Sequence, residues 1–358
     1  MAGRLRWEWG GAIALAIGTA GGAGSPHSPA AAGIGDEPKL ARFEATETHM
    51  GSPFTIVLYT PDLALATRAH RAAFDRIAAL DKVMSDYDHE SELMRLCDRA
   101  GGPPVAVSPA LFAILRLSKL WSERTGGAFD VTIAPVGRLW RRARRDRKLP
   151  DPDAIRRARL LVGPDRITLD PAAKTVQLAP GTRIDLGGVA KGYASHAAIE
   201  TLRAMGVPRA LVAGAGDVAA GDPPPGRDGW SVAVAALDDP GTAPPDGMLS
   251  IARGSASTSG DAERFVEIGG VRYSHIVDPA TGLGLTDRMS VTVVVPEGAN
   301  ADALATSIAL LGADRGLALA SETPGADARI VRRVDGREVR RETPGFAARL
   351  RPTNPPAP

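Results

Sequence analysis

The sequence predicts an α+β fold in which antiparallel sheets are packed by helices. Segments with helical spacing and segments with strand alternation are interspersed, without the regular strand–helix–strand order of a parallel sheet. Two turn signals, Gly269-Gly270 and Asp335-Gly336, join neighbouring strand-like runs as tight hairpins. Hydrophobic residues make up 44% of the 358 residues, enough for a core, and the 40 glycines and 29 prolines indicate many turns.

The first half of the chain contains one predicted strand and two predicted helices. Phe54, Ile56 and Leu58 alternate with other residues, as in a half-buried strand. A helix begins after Pro61-Asp62, and a second helix ends at Gly126-Gly127. The apolar residues with helical spacing are Ala73, Ile77, Leu80 and Met84 in the first helix, and Leu111, Ile114, Leu117 and Trp121 in the second.

The second half is predicted to be richer in strands, at 211–213, 230–235, 264–268, 271–276 and 289–295. A dense basic run at 138–148 could contact an anionic membrane surface or phosphates. Isolated charge runs are usually solvated helices or loops, so we favour that interpretation.

Charge and cysteine content exclude several classes of protein. The 43 Lys and Arg nearly balance the 41 Asp and Glu, and the net charge of +2 argues against a dedicated nucleic-acid binder. Cys97 is the single cysteine, which rules out an intrachain disulfide, a zinc ribbon and a Cys-x-x-Cys redox site.

Both ends of the chain are predicted to lie outside the folded domain. Residues 1–32 indicate an export signal peptide, with Arg4 and Arg6 before a short apolar run and small residues after it. That run is shorter than the ~20 residues of a spanning helix, and an uncleaved anchor is the alternative. Because no cysteine follows it, we expect an exported, periplasmic protein without lipid attachment. Residues 346–358 are predicted to be a Pro-rich disordered tail, which leaves one domain at 33–345.

Several short segments contain residues suited to binding a flat, phosphorylated ligand. Met50 beside a glycine could cover a ring, and Tyr87 could stack on one, although by themselves a strand entry and a surface tyrosine are the favoured explanations. Paired glycines before a predicted helix expose backbone N–H groups, and Lys191 one turn later can meet phosphate.

Further along the chain, three residues suggest catalysis. Asp302 and Thr306 are four residues apart and share a helical face. A carboxylate and a hydroxyl suit Mg²⁺, which takes its remaining ligands from water and substrate phosphates, although helix capping is the plainer explanation. His275 could act as a base because histidine titrates near neutral pH, or it could be structural.

Taken together and in this order, these segments resemble the FAD:protein FMN transferase family, often called ApbE. The matching stretches are Met50-Gly51-Ser52, Ser85-Asp86-Tyr87, 128–140, 185–193, 258–265, 273–279 and 301–306. The resemblance implies an ApbE-like two-lobed transferase fold over 33–345. It also implies a Mg²⁺-dependent enzyme that cleaves FAD, attaches FMN through a phosphoester to a threonine of a partner redox protein, and releases AMP.

The resemblance also assigns roles to individual residues. His275 corresponds to the base that deprotonates the acceptor threonine. Metal ligands are implied at Asp302 and Thr306, with the position of Ala305 and a backbone carbonyl near Gly188 completing the set. Contacts to FAD are implied at Met50, Tyr87, Ala128, Phe129, Asp130, Asp185, Lys191 and Ile276.

Three departures and two alternatives accompany this hypothesis. Ser52 stands where threonine is common in the family, a conservative change. Ala305 replaces an aspartate found in some members, and residues 213–217 are a loose version of the family's Asn-Ala-Gly-Gly-Asp segment. The implied acceptors carry a Ser/Thr-Gly-Ala-Thr-type motif, and the enzyme would contact membranes only through them. The alternatives are an FAD pyrophosphatase, which forms FMN and AMP, and a non-catalytic exported flavin-binding or delivery protein.

Overall fold

The computed structural model describes residues 39–237, 245–260 and 264–351. The predicted signal peptide, at 1–32, and the tail from 352 onwards lie outside the described residues. The strands, in chain order, are β1 Ala41–His49, β2 Ser52–Thr60, β3 Val105–Ala106, β4 Ile167–Asp170, β5 Thr175–Leu178, β6 Ala210–Gly214, β7 Asp217–Ala220, β8 Trp230–Ala233, β9 Met248–Ile251, β10 Gly254–Gly260, β11 Phe265–Ile268, β12 Val271–Ser274, β13 Met289–Val295, β14 Asp327–Val334, β15 Arg337–Glu342 and β16 Leu350–Arg351.

The helices surround these strands. They are α1 Leu63–Met84, α2 Glu92–Asp98, α3 Pro109–Arg124, α4 Ala134–Asp146, α5 Pro152–Arg159, α6 Ala190–Ala204, α7 Gly298–Ser321 and α8 Pro344–Arg349. Short 3₁₀ turns lie at Val131–Ile133 and Pro164–Arg166.

An eight-stranded antiparallel sheet, in the order β1-β2-β6-β7-β10-β13-β14-β15, forms the centre of the fold. One face packs against α1, α6 and α7 and contributes Phe54, Ile56 and Leu58 to the main core, to which α3 adds residues by packing on α1 and α7. On the opposite face, Val57 belongs to a second core with Trp230 and Phe346. Side chains of β2 therefore belong to both cores, because successive side chains along a strand point to opposite faces of the sheet.

Local capping explains where two helices begin. The side chain of Asp62 accepts a hydrogen bond from the Leu65 N–H, at 2.7 Å, and Ser108 caps α3 just before Pro109. Both are favoured helix-start residues, since their side chains satisfy N–H groups that lack partners within the helix. The predicted helix starting after Pro61-Asp62 is confirmed.

The two predicted hairpins are also confirmed. Gly269-Gly270 joins β11 to β12, and Asp335-Gly336 joins β14 to β15. All four turn residues have positive φ, as a two-residue type I′ turn requires. The predicted strands at 230–235 and 271–276 are each shorter than expected and end at Ala233 and Ser274.

A smaller unit stands beside the central sheet. Trp140 of α4 packs with Val266 of β11, and its indole N–H donates to the Gly282 carbonyl, at 2.8 Å. The basic run at 138–148 largely coincides with α4, so it is helical and has one apolar face in this cluster.

The boundary predicted for the disordered tail is wrong by several residues. Residues 344–349 form α8, Phe346 is fully buried, and Leu350 pairs with Leu249 of β9. The aromatic side chain of Phe346, with Leu350 packed against the same core, anchors the segment, because its burial removes a large apolar surface from water.

Helix α7 is the one helix within the described ranges that is long and apolar enough to cross a membrane, by length and composition alone. Its most apolar window is 56% buried inside the protein, and Gly312 interrupts it with a non-helical conformation. Core helices of water-soluble proteins pass the same test, so α7 is explained by the main core.

Candidate active site

A cavity of about 910 Å³ opens between the central sheet, the ends of several helices, and the smaller unit in which α4 packs on β11. This volume lies within the range of small-molecule sites. All but one of the site residues suggested by the sequence line it, and Ala305 is the exception. Ala305 is fully buried within α7, so its carbonyl is the atom through which it could contribute.

Two hairpin tips form one rim of the cavity. Met50-Gly51 joins β1 to β2, and Ala215-Gly216 joins β6 to β7, with positive φ at all four residues. Positive φ is costly for a methionine, and the Met50 N–H is held by the carboxylate of Asp81, at 2.8 Å. The turns thus bring backbone and the Met50 side chain to the cavity.

The outer wall of the cavity carries a compact ion cluster. Arg141 of α4 pairs with Asp86 and, at 2.8 Å, with Asp185, and its guanidinium lies 4.4 Å from the centre of the Tyr87 ring. Burial and the Asp185 charge raise the pKa of Asp86, whereas Arg141 lowers it. Tyr87 is 75% exposed, so one face of the cluster is open at the mouth of the cavity.

The inner end of the cavity carries a second, more deeply buried cluster. Asp217 and Asp302 are 3% and 4% exposed, and the Nζ of Lys191 lies 3.9 Å from Asp217 Oδ2. Burial raises the pKa of both carboxyls; the Asp302 charge raises that of Asp217 further, and Lys191 opposes both shifts. One ammonium therefore faces two carboxyl groups whose pKa values are both raised, that of Asp217 to about 8.

Two oxygens of the inner cluster lack hydrogen-bond partners: Asp217 Oδ1 and Asp302 Oδ2. Buried polar atoms are nearly always satisfied, so these two indicate that something else occupies their surroundings in the working protein. Thr306 lies on the same face of α7 and its hydroxyl is 3.3 Å from that of Ser259. Among the described residues no group of three or more His, Cys, Asp or Glu could hold a metal by itself.

This donor set fits a hard cation that keeps water or substrate oxygens as ligands. Mg²⁺ is bound in this way, through one or two carboxylates plus phosphate. Gly188 lies close to two site residues: an added Cβ would be 3.3 Å from the Phe129 ring and 3.4 Å from Thr306 Oγ1. The Gly188 position thus leaves room for a ligand that a larger side chain would fill.

Close packing of α6 on α7 assembles the inner cluster. A Cβ on Gly192 would lie 2.3 Å from the Gly298 carbonyl and 3.1 Å from the Asp302 side chain. Only glycine permits this approach. The third glycine of the segment 185–193, Gly192, therefore serves helix packing, and it places Lys191 and Asp302 at the same end of the cavity.

His275 lies at the cavity wall just after β12. Its Nδ1 is 3.1 Å from the Arg264 carbonyl, which can only accept, so Nδ1 carries the proton and Nε2 presents a lone pair. Burial, then the positive charge of Arg264, lower the pKa of His275 to about 3. The ring is therefore neutral at physiological pH and able to accept a proton at Nε2.

Asp130 has a different environment from the one the sequence suggested. Its carboxylate accepts hydrogen bonds from Ser122, at 2.9 Å, and from the N–H and hydroxyl of Thr132. It caps the turn at Val131–Ile133 and is 6% exposed. The side chain thus shapes the loop that carries Phe129 to the cavity.

Three charged residues of the two clusters and the basic run were given no site role by sequence reasoning but line the cavity: Asp217, Arg141 and Arg144. Asp217 lies in the loose segment at 213–217, where the family comparison gave only a weak signal. The two arginines belong to the basic run, and the helical period places them on one face with Gly137, which also lines the cavity. Of the segment 258–265, residues 261–263 lie outside the described residues.

With this geometry in place, comparison with known proteins identifies the family. The ApbE family model matches residues 50–330. The chain belongs to the ApbE family. A relative from Treponema pallidum, named FAD:protein FMN transferase, is 33% identical over 82% of this chain and 85% of its own. A Klebsiella pneumoniae relative of the same name is 32% identical over 78% of this chain and 85% of its own.

Solved ApbE structures confirm the mixed fold of helices and antiparallel sheet. The Pseudomonas stutzeri flavinyl transferase ApbE superposes with a TM-score of 0.75 at 28% identity, covering 87% of this chain and 97% of that one. The Vibrio cholerae flavin transferase ApbE, at 24% identity, gives a TM-score of 0.78 over 87% of this chain and all of that one, and shares the fold.

Proposed function

We propose that this chain is an FAD:protein FMN transferase that attaches FMN through a phosphoester to a threonine of a partner redox protein and releases AMP. The names of its ApbE relatives support this activity. The observation that carries it is the meeting, in one cavity, of a neutral histidine with a free Nε2 and a buried oxygen cluster with unsatisfied atoms. A flavin carrier would need neither.

The cavity walls would orient FAD before the reaction. Tyr87 offers an exposed ring face at the mouth, and Met50 and Phe129 offer apolar surface further along. Aromatic and thioether groups stack favourably on flat rings. Arg141 holds Asp86 and Asp185 in place, so the wall is organised before substrate arrives.

His275 would act on the acceptor. Its Nε2 takes the proton of the threonine hydroxyl as the threonine oxygen attacks the phosphorus of the FMN half. The new phosphoester bond forms while the bond from that phosphorus to the bridging pyrophosphate oxygen breaks, and AMP departs with the oxygen. Because anionic phosphate would offset the cations that lower its pKa, His275 should become a stronger base when FAD is bound.

The inner cluster would stabilise the charge that develops on the phosphoryl oxygens. Lys191 supplies an ammonium whose position is fixed by the hydrogen bond that its Nζ donates to the Gly187 carbonyl, at 2.8 Å. Asp302, Thr306 and the carbonyl near Gly188 would hold Mg²⁺, with Asp217 beside them. Bound there, Mg²⁺ would supply further positive charge against the pyrophosphate.

The location and the acceptor are parts of the same proposal. The signal-like residues 1–32 support export to the periplasm, without lipid attachment because that segment has no cysteine. The acceptor would carry a Ser/Thr-Gly-Ala-Thr-type motif. Cell fractionation of the full-length protein tests the location, and recovery solely from the cytoplasm would contradict it.

Intact-protein mass spectrometry tests the activity. Protein beginning at residue 33 is mixed with FAD, Mg²⁺ and a small domain bearing the threonine motif, and a threonine-to-alanine domain is the control. We expect the first domain to gain the mass of FMN minus water, and no gain with EDTA. AMP release without mass gain would indicate an FAD pyrophosphatase, and FAD binding without either product would indicate a carrier.

A further inference from the structure

Helix α4 has three faces, and only two of them are explained by the fold and the cavity. Val136, Trp140 and Ala143 face the apolar cluster. Gly137, Arg141 and Arg144 face the cavity. At 100° per residue, the remaining sector belongs to Arg138, Arg142 and Arg145, which are all exposed, and we call this sector the arginine face.

The charges of the arginine face are poorly neutralised. Arg145 pairs with its neighbour Asp146, but within the described ranges Arg138 and Arg142 have no ion pair. The run 138–148 holds seven of the chain's 43 Lys and Arg with a single carboxylate, although the whole chain carries only +2. Cations in the last turn of a helix interact favourably with the helix dipole, and this accounts for Arg144 and Arg145. It does not account for Arg138 and Arg142, which lie nearer the middle of the helix.

The arginine face adjoins the mouth of the cavity. Arg138 and Arg145 are three and four residues from Arg141 and are its neighbours on the helix surface, and Arg142 adjoins both of them. Arg141 lies against the exposed ring of Tyr87 at the rim. Helix α5 packs on the apolar face of α4, so it leaves the arginine face uncovered. A macromolecule that inserts a side chain at this mouth would therefore touch this face.

We propose that the arginine face binds acidic residues of the acceptor protein that flank its modified threonine. The proposal rests on the proposed transferase function and names the chemistry of the partner. An acceptor must reach the rim to bring its threonine to His275, whereas an anionic membrane has no such requirement, and this favours the acceptor. Complementary charge at a rim acts mainly on encounter and orientation, so the face would lower KM for the acceptor and leave the chemical step unchanged.

A charge-reversal experiment tests this assignment. Arg138→Glu/Arg142→Glu is compared with Arg116→Glu/Arg315→Glu, in which two other exposed helix arginines without ion pairs, neither lining the cavity, are changed. The acceptor is a small domain whose threonine motif is flanked by aspartates. At low salt we expect the first variant to raise KM for this domain about tenfold, with the control near wild type and the KM for FAD unchanged.

Exchanging the acceptor's charge completes the test. A domain with lysines in place of the aspartates should be a poor substrate for the wild type. Its KM should be lower with Arg138→Glu/Arg142→Glu than with the wild type. The wild-type advantage should shrink at high salt, because exposed charges are screened. Equal acceptor KM in both variants overturns the proposal, as does binding of the wild type to phosphatidylglycerol vesicles with unchanged acceptor KM. Absence of transfer by the wild type would instead overturn the transferase function itself.

Discussion

The two charged clusters of the cavity differ in how fully their charges are paired. In the outer cluster, Arg141 contacts two carboxylates and an aromatic ring, and the group is part-exposed. In the inner cluster, Asp217 and Asp302 share one distant ammonium, and each keeps an oxygen without a partner.

The difference indicates what each cluster does. A directly paired, part-exposed cluster provides an ordered surface against which a ligand can pack. An underpaired buried cluster is costly, because a buried charge without compensation raises the free energy of the folded state. Such a cost is expected where a cation and phosphate complete the site during function.

The largest effect is expected from His275→Gln. A general base contributes about 10²–10⁴-fold to rate, so transfer should fall by this factor while FAD affinity stays near wild type. Transfer is measured by intact-mass spectrometry of reactions quenched at set times, and FAD binding is measured by flavin fluorescence titration. Asn300→Gln, at a residue that does not line the cavity, is the control; transfer at the wild-type rate in His275→Gln would remove this residue as the base.

Asp302→Asn tests the inner cluster. Transfer should fall about 10²-fold or more and should recover partly at high Mg²⁺, because an oxygen that we propose as a metal ligand is replaced by an amide. Without metal, the melting temperature should be unchanged or higher, since a carboxylate repelling Asp217 is removed. Asp185→Asn supplies the comparison from the outer cluster: it should lower stability, because Arg141 loses a partner. A lower melting temperature of Asp302→Asn without metal would contradict the conclusion that the charges of the inner cluster are incompletely paired.

Tyr87→Ala tests the outer wall. Stacking is worth about 1 kcal/mol, so the FAD dissociation constant should rise several-fold with little change in turnover at saturating FAD. Tyr87→Phe retains the ring and should behave as wild type. Unchanged FAD affinity in the alanine variant would exclude Tyr87 from the binding surface.

The smallest effect concerns the titration of His275. In the ligand-free protein its ring nitrogen NMR signals should show the neutral form throughout about pH 5–8, because burial and Arg264 lower its pKa. The neutral ring therefore contributes stability that is complete above the ordinary histidine pKa and is lost as pH falls toward 3. Arg264→Gln should raise the pKa while leaving it below the ordinary value, since burial persists. A wild-type titration midpoint near 6.5 would contradict the structural assignment.

Much of the fold follows from local signals in the chain. Asp62 and Ser108 cap helices by their own side chains, and Gly269-Gly270 and Asp335-Gly336 adopt the positive φ of hairpin turns. These features depend on neighbours in sequence, and for that reason they were predicted. Phe346 was missed because its burial depends on β8 and β9, which are distant along the chain.

The site was predicted in part for the same reason. Short motifs located His275, Lys191, Asp302 and Thr306, because each motif carries its own chemical pattern. The pairing of Arg141 with Asp86 and Asp185, across 55 and 44 residues of chain, has no local signature. Asp130 is a different case, because its carboxylate is occupied by the near neighbours Thr132 and Ser122, and the capping of the following turn is a local interaction.

The sequence by itself determined the α+β class, the turns, the family and most of the residues that line the cavity, since these depend on residue type, order and spacing. Tertiary structure alone decided which charges are paired and which are not. Gly192 and Gly298 let α6 and α7 approach until Lys191, Asp217 and Asp302 share one buried space. Burial and the distance between charges set their energies, and both are fixed only when distant segments pack together.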